Sequence, residues 1–195
     1  MSQLFTEQLF NNQTFKGVDL DQEHVRTKEF DRCRFSNCHF SACNFAGSEF
    51  SECVFRHCSI SLSKFADCSF KNVRFDKCKL IGIDFTKCTI NFFELTFSKC
   101  LIDNCNFSTL PMKKTVFDDS VLRECVFGET DLTKATFDQC DLDRTIFHNT
   151  KLDGADFSSA KHYTINPLSN AIKGAKFSLP EAVQLLNAFE IELET

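Results

Sequence analysis

The chain has 195 residues, 43% of them hydrophobic, and a formal net charge of −5. This length and composition predict one folded domain with a well-filled core. The slightly acidic balance argues against direct binding of nucleic acid, and the lack of a long apolar run argues against a membrane span. The opening "MSQLFTEQLF" has neither the basic nor the apolar region of a signal peptide, so we expect a cytoplasmic protein.

A five-residue repeat occupies most of the chain, as in "RCRFSNCHFSACNF" at 32–45. A large apolar residue, here called the centre, recurs from Phe5 to Ile90 and again from Phe97 to Phe157. A two-residue insertion within "NFFEL" at 91–95 separates the two series. Neither a helix nor a flat strand can place every fifth residue in one core, whereas a chain that bends every five residues can. The repeat therefore predicts a solenoid.

The second series alternates phenylalanine with an aliphatic residue, which indicates how many sides one coil has. With four sides, residues twenty apart stack, and phenylalanine then stacks on phenylalanine along two opposite sides. We therefore predict a four-sided coil, with about eight coils in a rod about 40 Å long. Glu23 and Lys28 break the pattern of small residues two before a centre, so an irregular start is expected before about residue 30.

All twelve cysteines lie two residues before a centre. They are Cys33, Cys38, Cys43, Cys53, Cys58, Cys68, Cys78, Cys88, Cys100, Cys105, Cys125 and Cys140. A disulfide framework is disfavoured because thiols stacked one strand spacing apart on parallel Cα–Cβ bonds do not converge. A zinc site is disfavoured because no pair of histidines complements the thiols. The favoured interpretation is a ladder of small buried side chains, and no metal or cofactor is expected.

Catalysis is not expected from this chain. Four of the five histidines occupy outward positions of the repeat, and the six glycines form no phosphate-binding loop; those histidines are His24, His39, His57 and His148. A filled rod also offers no concave pocket that could perturb its carboxylates.

The pattern loosens after Phe157, and the repeat region is assigned to 1–177. Ser178 and Glu181 form a capping-box pattern around Pro180, which predicts a short helix from about 179 to 189. We assign 178–195 to this helix and a tail that cap the last coil, with a possible homodimer contact. The residues proposed for cap and dimer are Val183, Leu185, Leu186, Phe189 and Ile191.

Acidic residues outnumber basic ones by ten to four between 117 and 159. The coil geometry places several on two adjacent sides, and the candidate partner-binding residues are Asp118, Asp119, Glu124, Asp138, Asp141, Asp143 and Asp156. The N-terminal half of the first of these sides is instead basic, with Lys16, Arg34, Arg56 and Arg74. The acidic side is either an ordinary solvated surface or a site for a partner with a basic groove.

The tandem pattern A/C-x-F/L-x-x over at least residues 30–157 resembles the pentapeptide-repeat family. The resemblance implies an all-β fold, a right-handed quadrilateral parallel β-helix with a short C-terminal capping helix. "NFFEL", "INP" at 165–167 and the closing "PEAVQLL" with "EIELE" are similar to a subgroup that acts on topoisomerases. That subgroup includes the Qnr proteins and the microcin B17 immunity protein, although Qnr proteins of Gram-negative bacteria carry long loops where this chain has two extra residues.

The resemblance implies a non-enzymatic DNA mimic that dimerises through its C-terminus. Its protein partner would be DNA gyrase or topoisomerase IV, in quinolone resistance or peptide-toxin immunity. The alternative is a scaffold that binds some unrelated protein.

Overall fold

The chain winds into a parallel β-solenoid whose coils repeat every twenty residues, in a computed structural model that describes residues 5–189 and residue 191. Phe10 is the Cα partner of Phe30, and Phe30 is the partner of Phe50. Phe15 and Phe35 are paired in the same way on the next side of the coil. Twenty residues make four five-residue sides, so the four-sided fold predicted from the repeat is confirmed.

Two of the four sides, faces 1 and 2, carry the ten-stranded sheet. Face 1 holds β1 (Leu9–Asn11), β4 (Glu29–Asp31), β7 (Glu49–Ser51) and the first half of β10 (Ser69–Asp76). Face 2 holds β2 (Thr14–Lys16), β5 (Arg34–Ser36), β8 (Val54–Arg56), the second half of β10, the second half of β12 (Phe93–Ser98), β14 (Val116–Asp118) and β16 (Thr136–Asp138), and the first half of β12 lies on face 1. We number the coils 1 to 9 by their face 2 centres, Phe15, Phe35, Phe55, Phe75, Phe97, Phe117, Phe137, Phe157 and Phe177.

The other two sides complete each coil. Face 3 holds the six-stranded sheet of β3 (Asp19–Asp21), β6 (His39–Ser41), β9 (Ser59–Ser61), β11 (Lys79–Ile81), β13 (Leu101–Asp103) and β15 (Val121–Arg123). Face 4 is held mostly by isolated parallel bridges and carries β17 (Ile146–Phe147) and β18 (Thr164–Ile165). A 3-10 helix, Glu181–Phe189, follows the last coil. Within the described part of the chain, no helix is long and apolar enough to cross a membrane.

The interior is filled by ladders of centres. Along face 2 the stacked phenylalanine rings lie 4.4–5.5 Å apart with interplanar angles of 20° or less. A second phenylalanine ladder runs along the opposite face 4 from Phe45 to Phe147. Each buried ring contributes about 2–3 kcal/mol of transfer free energy. The alternation of phenylalanine and aliphatic residues in the second series is therefore an alternation of faces, as predicted.

Most corners of the coil turn on a residue with positive φ, two positions after the centre. Examples are Asn12 (φ 51°), Arg32 (φ 52°) and Lys134 (φ 60°). This region is unfavourable for residues with a Cβ atom, by about 1 kcal/mol each. The strain is offset because the corner N–H donates to the next coil, as from Asn12 to the Asp31 carbonyl at 2.8 Å.

The winding is regular from Leu9, which corrects the irregular start expected before residue 30. Glu23 and Lys28 do occupy inward positions, but they are only half-buried. Lys28 Nζ donates to the Glu7 carbonyl at 2.7 Å.

The insertion changes which residue is a centre on face 1. Ile90 was predicted to be the last centre of the first series, but its side chain is 60% exposed. Phe93 pairs with Phe70 instead and is buried, so the loop before β12 expels Ile90 and Phe92 from the core. The centres from Phe97 to Phe137 then keep the twenty-residue register with the following coil.

The last coil is shortened by two residues on face 4 alone. Ile146 pairs with Thr164, eighteen residues later, whereas Lys151 and Ala171 keep the spacing of twenty. The shift brings Tyr163 into the core. The predicted helix is present, but the capping box is not formed, because the Ser178 hydroxyl donates to the Ser158 carbonyl of the previous coil.

Candidate functional site

The interior holds the thiols and offers no accessible chemistry. All twelve cysteines are free and buried. Burial raises the pKa of Cys53 to about 12, so this thiol stays protonated at neutral pH. Within residues 5–189 and 191, no group of three or more histidine, cysteine or acidic side chains is arranged to hold a metal ion.

Eleven of the twelve inward thiols instead serve as hydrogen-bond donors to the coil before them, and Cys140 donates to the Asp138 carbonyl of its own coil. Cys53 Sγ lies 3.2 Å from the Phe30 carbonyl, and Cys125 Sγ lies 3.4 Å from the Ile102 carbonyl. The Thr130 hydroxyl donates to the equivalent carbonyl of Phe107 at 2.9 Å. Cysteine, serine and threonine share this position because each combines a small volume with a donor for an inward carbonyl. A binding site is therefore expected on the outer faces of the rod.

The seven candidate acids fall on two adjacent faces and on two corners. Asp118 and Asp138 are Cα partners in adjacent coils of face 2. Asp156 lies on the next coil of the same face, in the column that includes Thr136. Asp119 and Glu124 occupy positive-φ corners, and Asp141 and Asp143 lie on face 3.

Four of these acids contact a basic side chain. Arg144 contacts both Glu124 (Nη1–Oε1 2.7 Å) and Asp143 (Nε–Oδ2 3.3 Å). His162 Nδ1 lies 2.8 Å from Asp141 Oδ1, and Lys176 Nζ lies 3.1 Å from Asp156 Oδ2; these two basic side chains come from the following coil, and His162 carries a charge only when protonated. Sequence reasoning missed these partners. Lys176 follows Asp156, and Arg144 follows Glu124, by twenty residues, so the coil period was the signal that could have found them.

Asp118, Asp119 and Asp138 have no cationic partner among the described residues. Asp118 accepts a hydrogen bond from the Ser98 hydroxyl at 2.7 Å, and Asp138 accepts one from Ser159 at 2.6 Å. We call Asp118, Asp119, Asp138 and Asp156 the acidic patch, and of these four only Asp156 contacts a cation of the described chain, Lys176. The patch borders an open depression of about 420 Å³ on face 2.

Asp156 keeps its negative charge over a wide pH range. The Ser158 hydroxyl and N–H donate to its Oδ1 at 2.6 and 3.0 Å. These hydrogen bonds, followed by Lys176, hold the pKa of Asp156 below its usual range. The acidic patch thus presents carboxylates held by hydroxyl groups on a rigid sheet, an arrangement that can bind guanidinium or ammonium groups.

The other half of face 2 is basic. Lys16, Arg34, Arg56 and Arg74 lie on coils 1 to 4. Arg56 Nε is 2.8 Å from Asp76 Oδ2 on the next coil. We call these four residues the basic patch. A single flat face thus carries opposite charge at its two ends.

The C-terminal helix has one side against the solenoid and one side exposed. Leu185 is partly buried against the core. Val183, Leu186, Phe189 and Ile191 are exposed, Phe189 and Ile191 to about half of their area (50% and 52%). The residues proposed for cap and dimer therefore separate into one capping residue and four outward apolar residues.

The insertion loop adds an exposed apolar feature that the sequence did not assign. Ile90 and Phe92 project from face 1, and the Phe92 side chain is 66% exposed. They border an open cavity of about 500 Å³ that Lys113 and Lys114 also line. Lys71 Nζ lies 5.9 Å from the centre of the Phe92 ring.

Solved structures with the same winding include two trypsin-treated variants of QnrB1, described as a plasmid-mediated fluoroquinolone resistance protein. The first is 17% identical with a TM-score of 0.56, and the alignment covers 96% of this chain and 100% of that one. The second is 18% identical with a TM-score of 0.59, covering 98% and 94%. No curated protein matches the sequence.

Two family models match the sequence itself. One, described as a pentapeptide repeat region, matches residues 28–107. The other, described as pentapeptide repeats in eight copies, matches residues 113–160. Together they cover more than half of the chain, and both lie within the regular coils. The chain therefore belongs to the pentapeptide-repeat family.

Proposed function

We propose that this protein is a non-enzymatic DNA mimic that binds a type II topoisomerase through the acidic patch. The observation that carries the proposal is the unneutralised pair Asp118 and Asp138, stacked on a rigid face beside Asp119. Lysine and arginine fields that hold DNA phosphates also attract carboxylates presented on such a rod. The fold shared with a fluoroquinolone resistance protein favours DNA gyrase or topoisomerase IV as the partner.

The test is a gyrase supercoiling assay with and without a quinolone. The protein is expected to change the gyrase activity or its sensitivity to the drug, and added salt should weaken the effect. Asp118→Asn/Asp138→Asn should abolish the effect, because it removes the uncompensated charges. A matched control, Glu124→Gln/Asp143→Asn, also removes two carboxylates, but ones already paired with Arg144.

Two results would overturn this mechanism. If the wild-type protein leaves gyrase and topoisomerase IV unaffected, the partner is a different protein. If the Asp118 and Asp138 variant is as active as the wild type, the acidic patch is not the binding surface. The second candidate function, a scaffold for an unrelated protein, is favoured by the ion pairing of four of the seven candidate acids.

We further infer that two copies associate tail to tail through the C-terminal helix. Val183, Leu186, Phe189 and Ile191 leave apolar surface exposed at the end of the rod. Contiguous exposed apolar surface of this kind typically marks a protein interface. Such a dimer would bring two acidic patches toward its centre.

A further inference from the structure

The charge on face 2 changes sign near the middle of the rod. The basic patch lies on coils 1 to 4 and the acidic patch on coils 6 to 8, as the strand register places them. Coil 5 carries the uncharged Thr96 and Ser98 between them. A flat face of this kind is complementary to an inverted copy of itself. We propose that face 2 binds face 2 of a second copy of this chain, with the two rods antiparallel.

The arrangement is generated by a two-fold axis that runs parallel to the strands through coil 5. Coil 4 then lies opposite coil 6 of the other copy, coil 3 opposite coil 7, and coil 2 opposite coil 8. The axis also keeps each column of side chains opposite the same column. Thr96 and Ser98, both small, lie at the axis, where the two sheets approach each other.

This register pairs opposite charges in both columns of the face. Arg34 and Asp156 each precede a face 2 centre, in coils 2 and 8, and so face each other. Arg56 and Asp138 each follow a centre, in coils 3 and 7, and also face each other. Because the contact is isologous, each pair occurs twice.

The two edges of the face add further complementary pairs. Glu52 and Lys134 occupy the corners before coils 3 and 7, on the edge shared with face 1. Lys77 and Asp119 occupy the corners after coils 4 and 6, on the edge shared with face 3. The same two-fold axis brings both of these corner pairs together.

Like charges also meet in this register, but near partners of opposite sign. Asp76 faces Asp118, where Arg56 already pairs with Asp76 and Ser98 donates to Asp118. Lys99 meets its own copy at the rim beside the axis, where water screens the charges. If the axis is moved half a coil toward the N-terminus, Lys77 faces Lys99 of the other copy. If it is moved half a coil toward the C-terminus, Asp76 faces Asp138, so each alternative brings like charges together. The axis through coil 5 therefore gives the best match.

The expected contact is weak and sensitive to salt. Three-residue strands and a rod about 40 Å long give a face of about 400 Å² per copy, which is below the area of a standard interface. Arg56 and Asp156 must also exchange part of their present pairing with Asp76 and Lys176. Charged contacts of this kind favour fast association and correct orientation more than high affinity.

Sedimentation velocity at about 0.02 M and about 0.5 M salt tests the proposal. The wild-type protein should self-associate through a step that is lost at high salt. Two variants should each weaken this step at least about tenfold, because each gives face 2 a large excess of one sign. They are Arg34→Glu/Arg56→Glu and Asp138→Lys/Asp156→Lys.

Mixing the two variants in equal amounts provides the decisive measurement. A mainly acidic face and a mainly basic face are complementary, so the mixture should form a heterodimer at low salt. Lys64→Glu/Lys87→Glu, which makes the same change in net charge away from face 2, should associate like the wild type. Cooperative thermal unfolding of every variant should show that the fold is retained, because none of the altered side chains lies in the core.

The proposal is overturned if the wild type shows no salt-sensitive association, or if the mixture does not recover it. It is equally overturned if either single-sign variant associates as strongly as the wild type. Repeating the series with Phe189→Asp removes the apolar tail-to-tail contact and leaves the face contact intact. None of these measurements uses a topoisomerase, so failure here is distinct from failure of the proposed function.

Discussion

At the scale of residues, two positions of the repeat have separate physical roles. The position two before the centre donates a hydrogen bond to the preceding coil, which a thiol in Cys125 and a hydroxyl in Thr130 both supply. The position two after the centre turns the corner at positive φ. Five of the six glycines lie at this corner position, namely Gly17, Gly47, Gly82, Gly154 and Gly174. Their spacing in the sequence was a signal for the corner geometry.

The contact between His162 and Asp141 predicts a shifted titration. The hydrogen bond to Asp141 raises the pKa of His162 above its ordinary value of 6.5. Because the folded pKa is the higher one, the stabilisation is fully present below the unfolded pKa and is lost as the pH rises through the folded pKa. An NMR titration of the His162 ring should therefore show a pKa above the ordinary value, and Asp141→Asn should lower it.

Asp118→Asn, on face 2, is the control and should leave the His162 titration unchanged. A His162 pKa that does not move in the Asp141→Asn protein would contradict the contact.

At the scale of elements, most strands are three residues long because the remaining two residues of each five-residue side form the corner. The centre of each strand is buried and its two neighbours point outward, as in Thr136–Asp138. Two strands are longer, β10 and β12, and both pass around the corner between faces 1 and 2. The longer strands and the insertion loop lie together, and the loop displaces Ile90 in favour of Phe93.

Adjacent phenylalanines in this loop should respond very differently to substitution. Phe92 is exposed at φ 63°, so Phe92→Gly relieves an unfavourable backbone and should change the free energy of unfolding by no more than about 1 kcal/mol. Phe93 is buried on the face 1 ladder, so Phe93→Ala should lower it by about 3–5 kcal/mol. Chemical denaturation of both variants measures the difference.

Equal losses of stability in the two variants would mean that Phe92, and not only Phe93, is part of the core. Phe70→Ala, which removes the ring that Phe93 pairs with, should resemble Phe93→Ala and serves as the control.

At the scale of the whole molecule, side chains fill the interior of the rod, so a partner can bind only at the outside of the rod. Charge therefore distinguishes the faces: face 2 is divided into basic and acidic halves, whereas face 3 neutralises Asp141 and Asp143. The apolar side chains of the C-terminal helix lie at one end of the rod, apart from the charged faces.

The tail-to-tail association can be separated from capping within the same helix. Val183→Asp/Phe189→Asp changes exposed positions, so it should convert dimers to monomers without lowering the thermal midpoint. Leu185→Asp changes the residue that packs on the core, so it should lower the midpoint. Light scattering at high salt gives the mass, and a thermal melt gives the midpoint.

A wild-type protein that is monomeric at high salt would exclude the tail-to-tail dimer. A dimer that survives the double substitution would place the contact elsewhere.

The sequence by itself determined the interior of this protein. A period of five with a large centre and a small donor two positions before it predicts a filled solenoid with buried thiols such as Cys125. The alternation of phenylalanine with aliphatic centres, as in Phe117 and Leu122, then favoured four sides over three. The fold and the location of the seven acids were therefore predictable.

The tertiary structure alone decided which outward charges remain free and which centre is used at the insertion. Outward side chains are not constrained by packing, and their partners lie one coil away, as Lys176 lies beside Asp156. At the insertion, Ile90 and Phe93 both fit the apolar pattern, and the register of β10 with β12 selects the ring. Because packing restricts the interior to large and small apolar residues, the buried positions can be predicted from the local sequence pattern. The partners of surface charges depend on contacts between residues about twenty positions apart.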